Sequence, residues 1–372
     1  MATKRSTKKH GAPRKAAAGS TRAKIAAPPK PAAIARRAQP KTLVTGGTGF
    51  LGAHLVRQLV EDGVKNIRVM ATSIPAWVEE LGVEGVAGSI TSPADVARAV
   101  EGVAEIYHLA GRVSRDREEA HQMYSIHVDG TRLLCQAARA AGVKSIVLAS
   151  TSGTIAVTEK GDAIPDETWL PPLDIISRWP YYASKAYQES VALEYFSGQN
   201  ERLVIVNPSL LLGPGDDRLS STRVILDFLA RRIMATPSGG LSFVDARDVA
   251  RTLRAAMERG RHGERYLLGA ANWTFEKFFG RLERLTKVAA PRLWLPSKLT
   301  ITGAGLVHSL YRHWKLAPPV EPAAIEMAEY FWYLNSSKAE RELGFAPRDP
   351  ADTLNDTVQY IRENFLGSAS VA

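Results

Sequence analysis

An apolar run and a glycine-rich turn meet in Lys41-Thr42-Leu43-Val44-Thr45-Gly46-Gly47-Thr48-Gly49-Phe50-Leu51-Gly52. Apolar side chains then continue at helical spacing as far as Glu61. Gly46 permits a tight turn, Gly49 lets a bound group approach the backbone, and Gly52 allows a helix to lie close to a strand. The start of that helix offers free N–H groups and a positive dipole end to an anion. The stretch therefore predicts a strand, a diphosphate-binding turn and a helix.

This turn predicts a dinucleotide site, because it lies between an apolar strand and an amphipathic helix. The residues expected to contact the dinucleotide there are Gly46, Thr48, Gly49, Phe50, Leu51 and Gly52. The adenosine ribose should be read about 20 residues further on, at the end of the second strand, where Ala71 and Thr72 stand. A carboxylate there would bind the 2′-hydroxyl of NAD and repel the 2′-phosphate of NADP, and none is present. Because the Thr72 hydroxyl can donate to a phosphate, the sequence slightly favours NADP(H) over NAD(H), with use of either cofactor as the alternative.

Short apolar strands alternate with helical segments after the glycine turn. The predicted strands are 66–71, 83–87, 106–110, 145–149 and 202–206, and the predicted helices include 128–141 and 185–196. Strands that are apolar on both faces and alternate with helices must be parallel and covered on both sides. The sequence therefore predicts the α/β class, with a doubly wound parallel sheet.

The alternation breaks down beyond Leu212, which suggests a change of domain. We expect the dinucleotide-binding domain to span 41–207, joined by about 241–269. A smaller, mainly C-terminal substrate-binding domain would consist of 208–240 and 270–372, capping the carboxyl ends of the strands.

The first 40 residues carry almost all of the net charge. The chain has 48 Lys and Arg against 38 Asp and Glu, and eleven of the basic residues but no acid lie in 1–40. This segment has few large apolar side chains, so it predicts a disordered basic N-terminal tail. A solubility tail or an upstream start codon explains it, and a weak, non-specific polyanion contact is the functional alternative.

Composition excludes several classes of protein. A single cysteine, Cys135, cannot close an intrachain disulfide, and no Cys/His cluster has zinc spacing, so we expect no metal site. No uninterrupted apolar run reaches the roughly 18 residues of a membrane-spanning helix. The tail also lacks the apolar core of a secretory signal, so the expected location is cytoplasmic.

Tyr181 and Lys185 stand four residues apart at the start of a predicted helix, and hence on one face of it. A phenol with an ordinary pKa of roughly 10 exchanges protons poorly at neutral pH. A neighbouring ammonium would lower that pKa towards the working range. The pair therefore predicts a general acid/base.

With these motifs, residues 41–365 resemble the extended short-chain dehydrogenases/reductases of the NAD-dependent epimerase/dehydratase superfamily. The matching motifs are the TGxxGxxG turn at 45–52 and the YxxxK pair at 181–185. Segments 241–250 and 263–269 are similar to the dihydroflavonol-reductase-like branch. The resemblance implies a Rossmann fold.

The resemblance also implies roles for individual residues. Tyr181 exchanges a proton with the substrate oxygen, Lys185 lowers the pKa of Tyr181 and holds the nicotinamide ribose, and Ser152 hydrogen-bonds the same oxygen. Ala110 is expected to contact the cofactor, and Pro208 and Ser209 are expected on its nicotinamide side. Hydride would then pass between the nicotinamide and a ketone or aldehyde, or the matching alcohol.

Other activities remain open at this point. A nucleotide-sugar epimerase would use transient oxidation at the same site, whereas a non-catalytic dinucleotide-sensing regulator would need none of Ser152, Tyr181 and Lys185. Sugar dehydratases of the superfamily place acids beside the hydroxyl residue, and 152–154 contains none, which disfavours dehydration.

Two further features have more than one interpretation. His127 stands where the family usually has asparagine, and it fixes either a local contact or part of a proton path. The aromatic run 330–333 fits an apolar substrate pocket, a domain core or the surface of a homodimer.

Overall fold

The computed structural model describes residues 41–198, 201–294 and 322–367, so the expectations for residues 1–40 lie outside the described part of the chain. Strand β1 (Lys41–Thr45) leads through the glycine turn into helix α1 (Phe50–Glu61), with the bounds that the sequence predicts. The other helices are α2 Ala76–Glu80, α3 Pro93–Val100, α4 Ala120–Tyr124, α5 Gly130–Ala141, α6 Leu173–Ile176, α7 Pro180–Tyr195, α8 Arg223–Leu229, α9 Ala246–Arg259, α10 Phe275–Thr286, α11 Pro322–Met327, α12 Ser337–Leu343 and α13 Pro350–Ile361.

Seven strands form one parallel sheet. They are β1, β2 (Ile67–Ala71), β3 (Glu84–Ala87), β4 (Val103–His108), β5 (Ser145–Ala149), β6 (Arg202–Pro208) and β10 (Arg265–Leu268), in the spatial order β10-β6-β5-β4-β1-β2-β3. The chain order reverses between β1 and β4, which opens a crevice at the carboxyl ends of the strands. This is the predicted Rossmann-type, doubly wound sheet.

Helices cover the sheet on both faces, because successive strand residues point to opposite sides. Val44 of β1 packs with Leu55 and Val56 of α1 on one face. Leu43, one residue earlier, packs with Leu134 of α5 and Phe196 on the other. Both sides of each central strand are thus buried, as a parallel sheet requires.

A second sheet lies outside the alternating pattern. Strand β9 (Gly240–Asp245) pairs with β7 (Leu210–Leu212), β11 (Ala271–Thr274) and β13 (Phe331–Trp332). The two-residue strands β8 (Ala235–Thr236) and β12 (Leu293–Trp294) pair separately. After β9, helix α9 and strand β10 return the chain to the seven-stranded sheet, and both lie within 241–269, the segment that the sequence analysis joins to 41–207.

Several boundaries differ from the sequence prediction. Strand β4 begins at Val103 rather than at residue 106, directly after Gly102, whose φ of +72° ends the preceding turn. Ala104 and Glu105 are only half-buried, and the charged Glu105 interrupts the apolar pattern, so the pattern does not identify this part of the strand.

Within the described ranges, none of the helices combines the length and apolar character needed to cross a bilayer.

Candidate active site

The glycine turn forms a tight cradle at the start of α1. Gly46 has a φ of +71°, and a Cβ there would lie 2.7 Å from the backbone nitrogen of Ala110. A Cβ on Gly52 would overlap the carbonyl oxygen of Gly46. The backbone N–H of Gly49 donates to that same oxygen at 3.0 Å. These close approaches require glycine, and the free N–H groups of the first turn of α1 fit a diphosphate.

The adenosine end of the crevice lies beyond β2. Thr72 and Ser73 follow this strand and are exposed. Arg68 is buried and donates to Glu84 and to the backbone carbonyls of Ala99 and Glu101, so its charge is already neutralised away from that end. The structure therefore does not support binding of the 2′-phosphate of NADP by Arg68.

Ser89 lies two residues after the end of β3. Its backbone N–H donates to Asp95 Oδ2 at 3.0 Å, and its hydroxyl lies 2.7 Å from that of Thr91. Ser89 thus shapes the start of α3 through local hydrogen bonds.

Helix α7 carries Tyr181 and Lys185 on one face, with Pro180 as its first residue. Lys185 is buried, and its ammonium donates to the carbonyl oxygen of Ala149 at 2.7 Å and to the side-chain oxygen of Gln188. Since Ala149 ends β5, the ammonium lies at the carboxyl edge of the sheet, where the crevice opens. The helix and the strand together place it there.

The pKa shifts of Tyr181 and Lys185 differ from those that the sequence analysis expects. Burial lowers the pKa of Lys185 to about 7, while the nearby Glu189 acts in the opposite direction. Burial raises the pKa of Tyr181 above its ordinary value, Tyr182 adds to the effect, and a hydrogen bond with the Thr151 side chain opposes it. Because the Lys185 ammonium is directed to Ala149 and Gln188, the expected lowering of the Tyr181 pKa by Lys185 is not observed here.

The Thr151 side chain acts on the pKa of Tyr181 as a hydrogen-bond partner, and the sequence selects its neighbour Ser152 as the hydroxyl residue of the site. Ser150 is engaged by Glu189, and Ser152 opens a single 3-10 turn in which its carbonyl oxygen accepts from the N–H of Ala156 at 2.7 Å. The side chains after β5 therefore no longer alternate as in a strand. Thr151 is half-buried, and Ser152 is buried.

His127 lies within a π-helical turn, Ser125–Asp129, and is completely buried. Its Nδ1 is 2.8 Å from the hydroxyl of Ser184, and its Nε2 accepts from the N–H of Arg112 at 3.1 Å. Burial lowers its pKa well below the ordinary value, so the ring is neutral. These contacts match the interpretation of His127 as a local structural contact, next to Tyr181 at a ring distance of 5.9 Å.

The end of β6 and the residue that follows it carry buried polar atoms without a hydrogen-bond partner in the described part of the chain. Ser209 is held by its backbone N–H, which donates to the Leu268 carbonyl oxygen at 2.8 Å. Its hydroxyl is buried without a hydrogen-bond partner among the described residues, and the same holds for Oδ1 of Asn207. Because unpaired buried polar atoms are costly, this segment is suited to a bound polar group such as a cofactor amide.

Glu189 is a site residue that the sequence argument missed. Its buried carboxylate accepts hydrogen bonds from Ser150, Thr154 and Asn207, and it pairs with Arg265 at 2.7 Å. It thereby ties α7 to the ends of β5 and β6 and to β10. A carboxylate four residues after Lys185, and so on the same helix face, is the signal that could have found it.

An aromatic cluster borders Tyr181. It consists of Trp179, Tyr182, Tyr330 and Trp332, and the rings of Tyr182 and Trp332 lie 4.7 Å apart at 30°. Tyr182 in turn contacts Tyr181 at 5.0 Å. A Cβ added to Gly153 would overlap the Tyr182 ring and lie 2.9 Å from that of Trp332. The aromatic rings therefore occupy the space that a side chain at position 153 would need.

Comparison with known proteins gives the family. Residues 42–269 match the model of the NAD dependent epimerase/dehydratase family. The chain belongs to this family. Family membership makes it an NAD-dependent enzyme of the oxidoreductase, epimerase and dehydratase group.

Two relatives and one solved structure align with most of the chain. It is 35% identical over 328 residues to sterol demethylase protein B of Methylococcus capsulatus, covering 87% of this chain and 98% of the relative. It is 32% identical to a putative dihydroflavonol 4-reductase of Synechocystis, covering 86% and 94% of the two chains. The crystal structure of gox2253 superposes with a TM-score of 0.74 at 30% identity, covering 87% of this chain and 98% of that one.

Proposed function

We propose that the protein transfers a hydride between NAD(P)(H) and a ketone or aldehyde, or the matching alcohol, with Tyr181 as general acid/base. The observation that carries this proposal is that Tyr181 lies on the same face of α7 as Lys185, whose buried ammonium donates to Ala149 at the carboxyl edge of the sheet. A dinucleotide-sensing regulator would need no such arrangement. The bound nicotinamide would supply the hydride chemistry.

Other residues of the chain would bind the cofactor and the substrate oxygen. The cradle of Gly46, Gly49 and Gly52 would hold the diphosphate, and the unpaired hydroxyl of Ser209 would bind the nicotinamide side. Tyr181 and Thr151 would place two hydroxyls on the substrate oxygen, where charge accumulates. We propose Thr151 for this role in place of Ser152, because the Thr151 side chain acts on the pKa of Tyr181.

Exchanging the two candidate hydroxyl residues tests that assignment. Thr151→Val should lower kcat roughly 100-fold, because it removes one preorganised donor at the reacting oxygen. Ser152→Ala should lower kcat by less than about threefold if the assignment is right, since the pKa of Tyr181 responds to the Thr151 side chain. Steady-state kinetics on both variants check this. The reverse order of losses would return the role to Ser152.

For the substrate we infer a flat, apolar, ring-bearing ketone or alcohol. Tyr182 and Trp332 are half-buried and offer aromatic faces beside Tyr181. Position 153 has no room for the acid that a dehydratase would use. The names of two relatives, a sterol demethylase protein and a dihydroflavonol reductase, refer to fused-ring molecules, which supports this class. A nucleotide-sugar epimerase stays the alternative, because it would use the same tyrosine.

Removing one aromatic face tests the substrate class. Trp332→Ala should raise KM for a polycyclic ketone by about tenfold, because it removes a stacking surface with a large apolar area. The matched control is Trp169→Ala, since Trp169 is 45% exposed and lies outside the aromatic cluster. Equal KM values for wild type and Trp332→Ala, or turnover of nucleotide sugars alone, would reject the proposed class.

We infer a small preference for NADP(H). The end of β2 carries Thr72 and Ser73 and no carboxylate, so a 2′-phosphate meets hydroxyl donors and no repelling charge. Because Arg68 is engaged elsewhere, the preference should be small.

A further inference from the structure

We propose that Gln188 is a positioning residue for Lys185, whose side-chain carbonyl fixes the lysine ammonium at the carboxyl edge of the sheet. The kinetic consequence of this role rests on the proposed function. The role itself concerns the state of Lys185 and can be measured without a substrate.

The contacts of Lys185 support this role. The ammonium is buried and has two hydrogen-bond acceptors, the Ala149 carbonyl oxygen at 2.7 Å and Oε1 of Gln188. Gln188 is fully buried as well. A buried charge is tolerated where hydrogen bonds replace its hydration, so each acceptor sustains the charged form.

The orientation of the Gln188 amide is itself fixed. Its Nε2 donates to the hydroxyl of Thr131 at 2.8 Å and lies 3.3 Å from Nε2 of His108. The opposite orientation of the amide would turn its N–H groups towards the lysine ammonium, and both groups would then be donors. The ammonium of Lys185, which only donates, thus selects the orientation with the Gln188 carbonyl towards it, and Thr131 accepts from the amide on the other side.

The hydrogen-bond chain continues to the cofactor cradle. His108 Nε2 is 2.9 Å from the hydroxyl of Thr131, and His108 Nδ1 is 2.7 Å from the hydroxyl of Thr45. Thr45 ends β1, directly before Gly46, and its hydroxyl also accepts from the N–H of Ala110 at 3.3 Å. Gln188 therefore connects Lys185 to the turn that would hold the diphosphate.

The charged groups around Lys185 make the role of Gln188 measurable. Glu189 on α7 favours the ammonium, but Arg265 of β10 pairs with this carboxylate at 2.7 Å. Burial lowers the pKa of His108, on β4, to about 3 and that of His127 well below its ordinary value, so both rings are neutral. The pKa of Lys185, about 7, is therefore sensitive to the loss of a neutral acceptor.

Two substitutions at position 188 test the proposal. Gln188→Met removes the acceptor and should lower the pKa of Lys185 by about one unit, the size expected for a hydrogen bond to a charged group. Gln188→Glu keeps the shape and adds a negative charge, so the pKa should rise. Gln136→Met is the matched control, because Gln136 is exposed on α5 and hydrogen-bonds to Tyr195.

The readout is the 15N chemical shift of Lys185 Nζ against pH in the cofactor-free protein, assigned with Lys185→Arg. The alkaline limb of the kcat profile should follow the same order, lower in pH for Gln188→Met and higher for Gln188→Glu. Opposite shifts of the two titrations support positioning by Gln188. Titrations that coincide with wild type, or that move in one direction for both variants, overturn it. The titration measures the pKa of Lys185 without a substrate, so its outcome does not depend on whether Tyr181 takes part in turnover. Failure of this proposal is therefore distinguishable from failure of the proposed function.

Discussion

Tyr181→Phe should lower kcat by about 1,000-fold, within the range expected when a general acid/base is removed. The substitution keeps the ring, whose centroid lies 5.9 Å from that of His127 and 5.0 Å from that of Tyr182. It removes the hydroxyl on whose pKa the Thr151 side chain acts. Dinucleotide affinity should therefore change by less than about twofold, since packing is retained. Steady-state kinetics and a fluorescence titration with NADPH measure the two quantities.

Tyr187→Phe provides the control for this experiment. Tyr187 lies on the same helix α7, but it is 55% exposed, and its ring contacts Tyr124 at 6.0 Å. It should retain wild-type kcat. Wild-type turnover in Tyr181→Phe would refute the acid/base role, and loss of dinucleotide binding would instead assign Tyr181 to the cofactor site.

The electrostatics of Tyr181 favour one direction of proton transfer. Burial raises its pKa, so the phenol carries its proton at neutral pH. A protonated phenol can donate to a carbonyl oxygen, as reduction of a ketone requires, whereas oxidation of an alcohol first requires the phenolate. This protonation state is the one that the proposed reduction would need, and the interaction with the Thr151 side chain partly offsets the effect of burial.

The sequence predicts the first strand, the glycine turn and the first helix because their information is local. Periodicity identifies Phe50–Glu61, and the glycines mark the turn. The buried strand Ser145–Ala149 also agrees with its prediction, since it is a short apolar run with clear ends. Parallel pairing follows from the alternation of such strands with helices.

The choice between Thr151 and Ser152 could not be made locally. Thr151 and Ser152 are adjacent hydroxyl residues, and their local conformation depends on the 3-10 turn at Ser152–Thr154 and on the contact of Ser150 with Glu189, 39 residues away. Strands β7, β11 and β13 have four residues or fewer, so their pattern is too short to identify. They form through pairing with β9, which is distant in sequence from β13.

The cradle offers a second prediction with a large effect. Gly46→Ala should lower the free energy of unfolding by about 3 kcal/mol, combining a strained backbone with overpacking. The φ of +71° disfavours any Cβ, and this Cβ would lie 2.7 Å from Ala110 N and 2.8 Å from the Leu109 carbonyl carbon, so backbone must shift. Because that shift displaces N–H groups from the diphosphate, affinity for NADPH and NADH should fall roughly tenfold or more.

Gly63→Ala separates the cost of backbone strain from the cost of overpacking. Gly63 has a φ of +75°, yet a Cβ there meets nothing within 4 Å, so the variant isolates the backbone cost of about 1 kcal/mol. Urea unfolding gives both free energies, and titration with each dinucleotide gives the affinities. If the two variants lose equal stability and both retain dinucleotide binding, close packing against Ala110 does not shape the cradle. A larger loss for Gly46→Ala, accompanied by weakened binding of both dinucleotides, means that the contact between β1 and the end of β4 holds the diphosphate-binding turn in place.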